Sequence, residues 1–295
     1  MAEWSKAPVL KTDESRGSQG SNPCPSAILF SDMPAVCEFP VSDTASLEIL
    51  YEDEYLVAVN KPAGLLVHPS WIAPARTPNL AAQLKLRYPN ETVHTVHRLD
   101  RATSGVILFA RNKAVAHSLQ QQFAERQVQK TYLCVVRGWA DEEGVIDYAL
   151  KPIHDKIAEP HANPDKEAQD AVSAYRRIAK VALPIPVGRY PEARYSLVEV
   201  KPTTGRKHQI RRHMKHILHP IVGDTKHGEG RHNRLFREHL DSHRLLLMAV
   251  GIEFEHPVSG CRLNIQAGVG DDVRELFERL GWREGYPVTA AVAQR

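Results

Sequence analysis

The stretch HRLDRATSG, residues 97–105, sets the carboxylate of Asp100 between two permanent cations, Arg98 and Arg101. A carboxylate that acts as a nucleophile must be ionised, and nearby cations favour that form. Two readings are open here: a solvated loop with local ion pairs, or a nucleophile held beside a polyanion. The residues that follow, Thr103, Ser104 and Gly105, are small and allow a backbone or a ligand to come close. Adjacency in sequence does not say where either guanidinium points.

A second stretch, Lys201 to Gly223, contains no acid at all. After Gly205 it carries Arg206, Lys207, Arg211, Arg212 and Lys215. On a helix Lys207, Arg211 and Lys215 stand four apart and share one face. A solvated basic face is the bland reading; an acid-free run of this length favours phosphate contact. His208, His213, His216 and His219 in the same run suggest a metal, but no carboxylate or cysteine joins them and the cations would repel a divalent ion, so no metal is expected. The chain has no Walker A loop and no GxGxxG, so no cofactor is expected either. Tyr132, after Lys130, opens an apolar run, where it is either core or a platform for a base.

The rest of the chain must position these groups. Of 295 residues, 42% are hydrophobic and 25% charged, as in an ordinary globular protein with a sizeable core. No apolar run approaches the length of a membrane span and no apolar leader is visible. Cys24, Cys37, Cys134 and Cys261 are scattered without a CxxC pair and read as reduced thiols of a cytoplasmic protein. The net charge of +3 conceals an acidic first 45 residues; without them the remainder carries +6, which suits a nucleic-acid partner.

Residues 1–45, with KTDESRGSQGSNPCPS, are expected to be disordered, or an artefactual extension, since GSNP is what one frame of a tRNA gene's T-arm encodes. The runs 48–51 and 55–59 around Glu52-Asp53-Glu54 predict a hairpin. VILFAR (106–111) predicts a buried strand, the recurrence of Val115, Leu119 and Phe123 a helix over 113–126, and TYLCVVRGW another strand. Residues 151–170 are polar and proline-broken, hence a loop. RYSLVEVKP (194–202) alternates, with Ser196, Val198 and Val200 on one face of a half-buried strand. Ile210, Met214, Ile217 and Leu218 predict a helix that carries the basic residues, and DDVRELFERLGW a short capped helix with Val273, Leu276, Phe277 and Leu280 inward. Strands outnumber helices without regular βαβ alternation, which gives an α+β fold with a largely antiparallel sheet.

Four segments, VNKPAGLLVHP (59–69), HRLDRATSG (97–105), KTYLCVVRG (130–138) and RYSLVEVKPTTGRKHQIRRH (194–213), resemble, in order, the motifs of the RluA-type pseudouridine synthases. The likeness spans roughly 48–285. LLVHPSW, QFAERQVQKTYLCVVRGW, PVGRYPEARYSLVE and HPIVGDTKHGEGRHNRLF are similar to the branch that modifies uridine 65 of tRNA. The resemblance implies a catalytic domain over 46–285, a flexible tail at 286–295, a mixed, mostly antiparallel sheet with flanking helices and a central basic cleft. It implies an isomerase of tRNA, a monomer without cofactor or membrane contact. By the same resemblance Asp100 matches the nucleophile, Tyr132 the active-site tyrosine, and Arg206 the arginine that pairs with the aspartate. Arg98 matches the side chain that fills the space left by a flipped uridine, and Ile210 an apolar wall of the base pocket. Arg101, Lys207, Arg211, Arg212 and Lys215 are the candidate RNA contacts, and His97 reads as scaffold. Alternatives are a synthase for 23S rRNA or another tRNA site, a non-catalytic RNA-binding protein, and a histidine metalloenzyme.

Overall fold

The computed structural model describes residues 47–69, 74, 77–153, 167–288 and 290–294; the expectations for 1–45 and for most of the 151–170 loop lie outside them. The chain opens with a hairpin of β1 (Glu48–Glu52) and β2 (Leu56–Lys61), as expected. Its turn is closed by Asp53 Oδ1, which accepts from the amides of Tyr55 and Leu56. Helix α1 (Leu80–Arg87) starts at Asn79, whose side chain caps Ala82 N. A short β3 (His94–Thr95) precedes β4 (Ser104–Ala110), every residue of which is buried. Helix α2 (Lys113–Ala124), capped by Asn112, leads into β5 (Gln129–Arg137).

Then come β6 (Glu143–Asp147), β7 (Val172–Leu183), β8 (Ala193–Pro202), α3 (Gln209–His216) and α4 (Gly230–Leu240). The chain continues through β9 (Leu247–Glu255), β10 (Arg262–Gln266), α5 (Asp271–Arg279) and β11 (Ala291–Gln294). The strands form one sheet in the order β1-β2-β4-β9-β5-β8-β7-β6, with β10 on β9 and β3 on β4. Only β4 and β9 pair in parallel among the named strands; the other pairings are antiparallel. The expected α+β class with a mostly antiparallel sheet is what is found.

Both faces of the sheet are covered. On β5, Leu133 and Val135 join a cluster with Leu235 and Phe236 of α4 and Leu276 and Phe277 of α5. Cys134 and Val136 face the other way, onto Ile210 and Met214 of α3. Tyr132 shares that second face and also touches the cluster around Leu80, Leu84 and Leu99. It therefore stands where the two core clusters of one face meet. Strand β8 is buried on both faces, not half-buried, because Tyr195 and Leu197 pack under α4 while Val198 and Val200 pack under α3.

Other expectations are corrected. Leu218 lies beyond the end of α3, has φ 66° and is 73% exposed, so the helix buries Ile210 and Met214 without it. Helix α5 has no side-chain cap; Asp271 and Asp272 in its first turn sit at the positive end of its dipole instead. The end of the chain is not a free tail: Ala291–Gln294 pairs with β10. Gly105 is small for the sake of the fold, since its φ is +111° and a Cβ there would lie 2.0 Å from Ala249 O, where β4 meets β9.

Candidate active-site cleft

A cavity of about 540 Å³ opens between the 96–103 loop, the end of α2, the start of β5 and residues 202–211. Asp100, Tyr132, Arg98, Arg206, Lys207, His208, Ile210 and Arg211 all line it. Residues from 98 to 211 thus meet because the loop before β4 and the junction after β8 flank the same end of β5.

The loop that carries Asp100 is fastened from below. Lys61, fully buried at the end of β2, donates to the carbonyls of Pro62 at 2.9 Å, Leu65 at 3.0 Å and Arg101 at 3.1 Å. Gly64 N also donates to Arg101 O, and Arg101 Nε returns a bond to Gly64 O at 2.8 Å. Burial, and then Arg244, push the Lys61 ammonium down to about 8, against the opposing pull of Asp100. Arg101 is thereby turned onto the 62–65 loop and does not line the cleft, contrary to the expectation that it contacts RNA there.

The guanidinium on Asp100 belongs to Arg211, not to Arg206. Arg211 Nη1 lies 2.9 Å from Asp100 Oδ2, while Nε and Nη2 hold Asp224 at 2.7 and 2.8 Å. Arg206 donates through Nε to Asp170 O at 3.1 Å. The reason is local: α3 begins at Gln209, so Arg206 lies in the turn before it and Arg211 in its first turn, facing the Asp100 loop. Arg211 is only 6% exposed, so Lys207, Arg211 and Lys215 do not form one solvated stripe. Lys207 Nζ reaches Ile153 O, Arg212 Nη1 reaches Lys151 O, and Lys215 is exposed; neither Arg212 nor Lys215 lines the cleft.

Asp224 was not singled out by the sequence. It is buried, and burial raises its carboxyl, but Arg211 and the amides of His227 and Lys226 outweigh that and hold it below the usual range. Burial likewise works against the Arg211 charge and is overcome by Asp224 and Asp100. Burial first and Asp100 second push the Tyr132 phenol up, so it stays protonated. His97 is scaffold: its Nε2 accepts from Leu108 N at 3.0 Å, its ring stacks on Phe123, and burial pushes it down to about 3. Arg98 is exposed at the cleft mouth and Ile210 is buried in its wall.

The four histidines of the basic run do not converge. His213 bonds Ser173 and the Tyr148 carbonyl, His216 stacks on Tyr148 at 3.7 Å, and His219 bonds Arg137 O. His208 alone enters the cleft, with Nε2 at 3.7 Å from Asp100 Oδ2 and Nδ1 at 2.9 Å from His227 Nε2. Among the described residues no helix is long and apolar enough to cross a membrane.

Comparison with known proteins gives this geometry a context. The family described as RNA pseudouridylate synthase matches residues 55–216, which include Asp100, Tyr132 and Arg211. The chain is similar to tRNA pseudouridine synthase C of Vibrio parahaemolyticus serotype O3:K6, with 52% identity over 81% of this chain and 96% of that protein. It is 50% identical to the Vibrio cholerae serotype O1 protein of the same name, over 83% of this chain and 100% of the other. Among solved structures, human RNA pseudouridylate synthase domain containing 4 superposes with a TM-score of 0.59 at 27% identity, covering 79% of this chain and 93% of that one. With a matching family over more than half its length and relatives of such identity covering nearly all of their own, the chain belongs to the RNA pseudouridylate synthases.

Proposed function

We propose that this enzyme converts uridine to pseudouridine in tRNA, at position 65 in the acceptor and T-stem region, with Asp100 as the nucleophile. The observation that supports the reading is a carboxylate that lines a nucleotide-sized cleft, is held by Arg211 and shares the cleft with the protonated phenol of Tyr132. The name shared by the Vibrio relatives supports tRNA as the substrate class.

The reaction is an isomerisation. The C1′–N1 bond breaks, the base turns, C1′–C5 forms, the C5 proton leaves and N1 gains one, so no outside group is transferred. Asp100 supplies the negative oxygen that meets the sugar or base, and Arg211 fixes its direction. Tyr132 presents a flat apolar face to the base with its hydroxyl still protonated. A uridine in a stem must first leave the helix at a cost of a few kcal/mol. Arg98 at the mouth and the cations Arg206 and Lys207 on the wall offer charge to the displaced strand.

Asp100→Ala is expected to abolish pseudouridine formation while RNA binding persists; turnover by that variant would refute the nucleophile. Carbodiimide-dependent primer stops in total RNA from cells lacking the gene test the target. A lost stop at tRNA position 65 is expected, and a loss confined to rRNA would overturn the substrate.

A further inference from the structure

Helix α4 carries a row of arginines whose charges find no carboxylate partner among the described residues. Arg231, Arg234 and Arg237 stand three apart, are exposed, and line one open groove on the outer side of the helix. Its inner side, with Leu235, Phe236 and Leu240, is packed into the core. Glu229, which precedes the helix, is taken by Arg137.

The row works against the helix that bears it. Like charges a turn apart repel one another. Arg231 also lies in the first turn, where the dipole disfavours a cation and where α4 has no acid. Helix α5 carries Asp271 and Asp272 at the equivalent place. A ligand with several negative charges removes both penalties. The tip of the β7–β8 hairpin adds a fourth cation. A Cβ on Gly188 would lie 2.9 Å from Arg231 Nη1, so the tip and the helix adjoin. Arg189, the next residue, is exposed and lies over the ring of the exposed Tyr190. Glu192 on the same loop is held by Arg194.

We infer that this arginine row, with Arg189, is a second RNA-binding surface that grips the sugar-phosphate backbone of the tRNA outside the cleft. The inference rests on the reading of tRNA as the substrate. Guanidinium forks match phosphate oxygens. Arg231 and Arg237 stand about 9 Å apart along the helix axis, a span that meets about two or three successive phosphates of one strand. No apolar side chain lines the groove, whereas the core of a protein interface is depleted of charge, so RNA is favoured over an acidic protein. The placement fits as well. Strand β5 runs from Tyr132 in the cleft to Arg137, whose partner Glu229 opens α4. That is roughly 17 Å of strand, so a stem of more than a few base pairs with its uridine in the cleft is long enough to reach the row.

The test compares the full-chain wild type with Arg231→Gln/Arg234→Gln/Arg237→Gln in binding and converting tRNA. A control variant, Lys85→Gln/Lys113→Gln/Arg283→Gln, loses the same charge from other exposed positions. Glutamine keeps the helix propensity of arginine, so α4 should persist, and the thermal midpoint checks it. For the row variant, tRNA affinity is expected to fall about 10-fold or more at physiological salt. The slope of log affinity against log salt should drop by about 2 to 3, near one for each lost phosphate contact, with kcat at saturating tRNA unchanged. The control variant should keep both affinity and slope. Equal losses in the two variants would mean that net charge alone acts, and would overturn the surface. Unchanged tRNA affinity in the row variant overturns it too and leaves the row to an acidic protein. So does a reduced kcat with an unchanged slope. Should the triple variant fail to fold, Arg234→Gln alone is read: a slope lower by about 1 supports the surface, and an unchanged slope overturns it. Primer stops report the target separately. The expected change in slope without modification at position 65 would sink the proposed target and keep the surface.

Discussion

Arg211 Nη1 donates to Asp100 Oδ2 across 2.9 Å although 111 positions separate the two residues in the chain. The same guanidinium is gripped on its other edge by the buried Asp224, so its position is not adjustable. Arg211→Ala strands a buried carboxylate and is expected to cost about 3–5 kcal/mol of stability, read from urea unfolding. Arg211→Lys keeps the charge but replaces the planar fork, whose separate nitrogens hold Asp224 and Asp100 at once, by a single nitrogen that cannot span both carboxylates in that geometry. It should fold, and its kcat should fall about 10²-fold because Asp100 is no longer held in line. Arg206→Lys, whose parent side chain bonds the Asp170 carbonyl, should alter KM more than kcat; the reverse pattern would return the pairing to Arg206.

Which arginine meets Asp100 shows where sequence reading stops. The helix after Gly205 was legible from Ile210 and Met214, and so was the basic character of its start. The rotation of that helix was not, because its first turn depends on Gln209, whose Oε1 accepts from Arg206 N and from Thr204 Oγ1. Strands with continuous apolar runs, such as 106–110, could be read because burial on both faces leaves a composition signature. Strand β7 could not, since VSAYRRIAKVAL mixes cations into a partly exposed edge region. Asp224 was missed for a related reason: a single acid gives no sign of burial until its partner is known.

Tyr132 carries a prediction about pH. Burial and Asp100 both oppose ionisation of its phenol, so its protonation does not change over the working range. The ratio of wild-type to Tyr132→Phe kcat should therefore be the same at pH 7 and pH 9.5. A ratio that shrinks at the higher pH would mean that the hydroxyl titrates and that the cleft is wetter at this point than its packing indicates.

Lys61 binds three backbone carbonyls from a position with no solvent exposure. Lys61→Met fills the same volume but leaves the Pro62 and Leu65 carbonyls without their donor, at roughly 1–3 kcal/mol for each group left unsatisfied, and leaves the Arg101 carbonyl with the Gly64 amide alone. The expected result is a urea midpoint well below wild type and a fall in kcat at temperatures where the protein is still folded, because the Arg101 carbonyl anchors the residue next to Asp100. Unchanged kcat in the folded variant would show that the 98–101 loop holds its shape without this tether.

Gly105 tests the fold beneath the site. Its φ of +111° and the 2.0 Å approach that a Cβ would make to Ala249 O leave no room for alanine. Gly105→Ala should part β4 from β9 at their parallel contact and lower the thermal midpoint by 10 °C or more, a shift of roughly the size a few kcal/mol produces in a chain of this length. A variant that melts with wild type would mean that the two strands can separate freely, and the small residues after Asp100 would then need another explanation.

His97 links the same motif to acid stability. Its ring is pushed from an ordinary value of 6.5 down to about 3 by burial, with Lys130 adding to the effect. Above pH 6.5 the ring is neutral in both the folded and the unfolded chain, and its contribution is complete. Below 6.5 the unfolded chain takes up a proton that the folded one refuses, so stability falls as pH falls, by about 1.4 kcal/mol per pH unit, until the folded ring itself titrates near 3. His208, His213, His227 and His232 are shifted in the same direction, so the wild-type curve alone does not isolate His97. His97→Gln does, because a glutamine oxygen can still accept from Leu108 N but carries no titrating group. The stability advantage of wild type over His97→Gln should be largest at pH 7 and shrink steadily toward pH 4.5. An advantage that stays constant over that interval would show that the imidazole is protonated in the folded protein, and the bond from Leu108 N to Nε2 would then have to be abandoned.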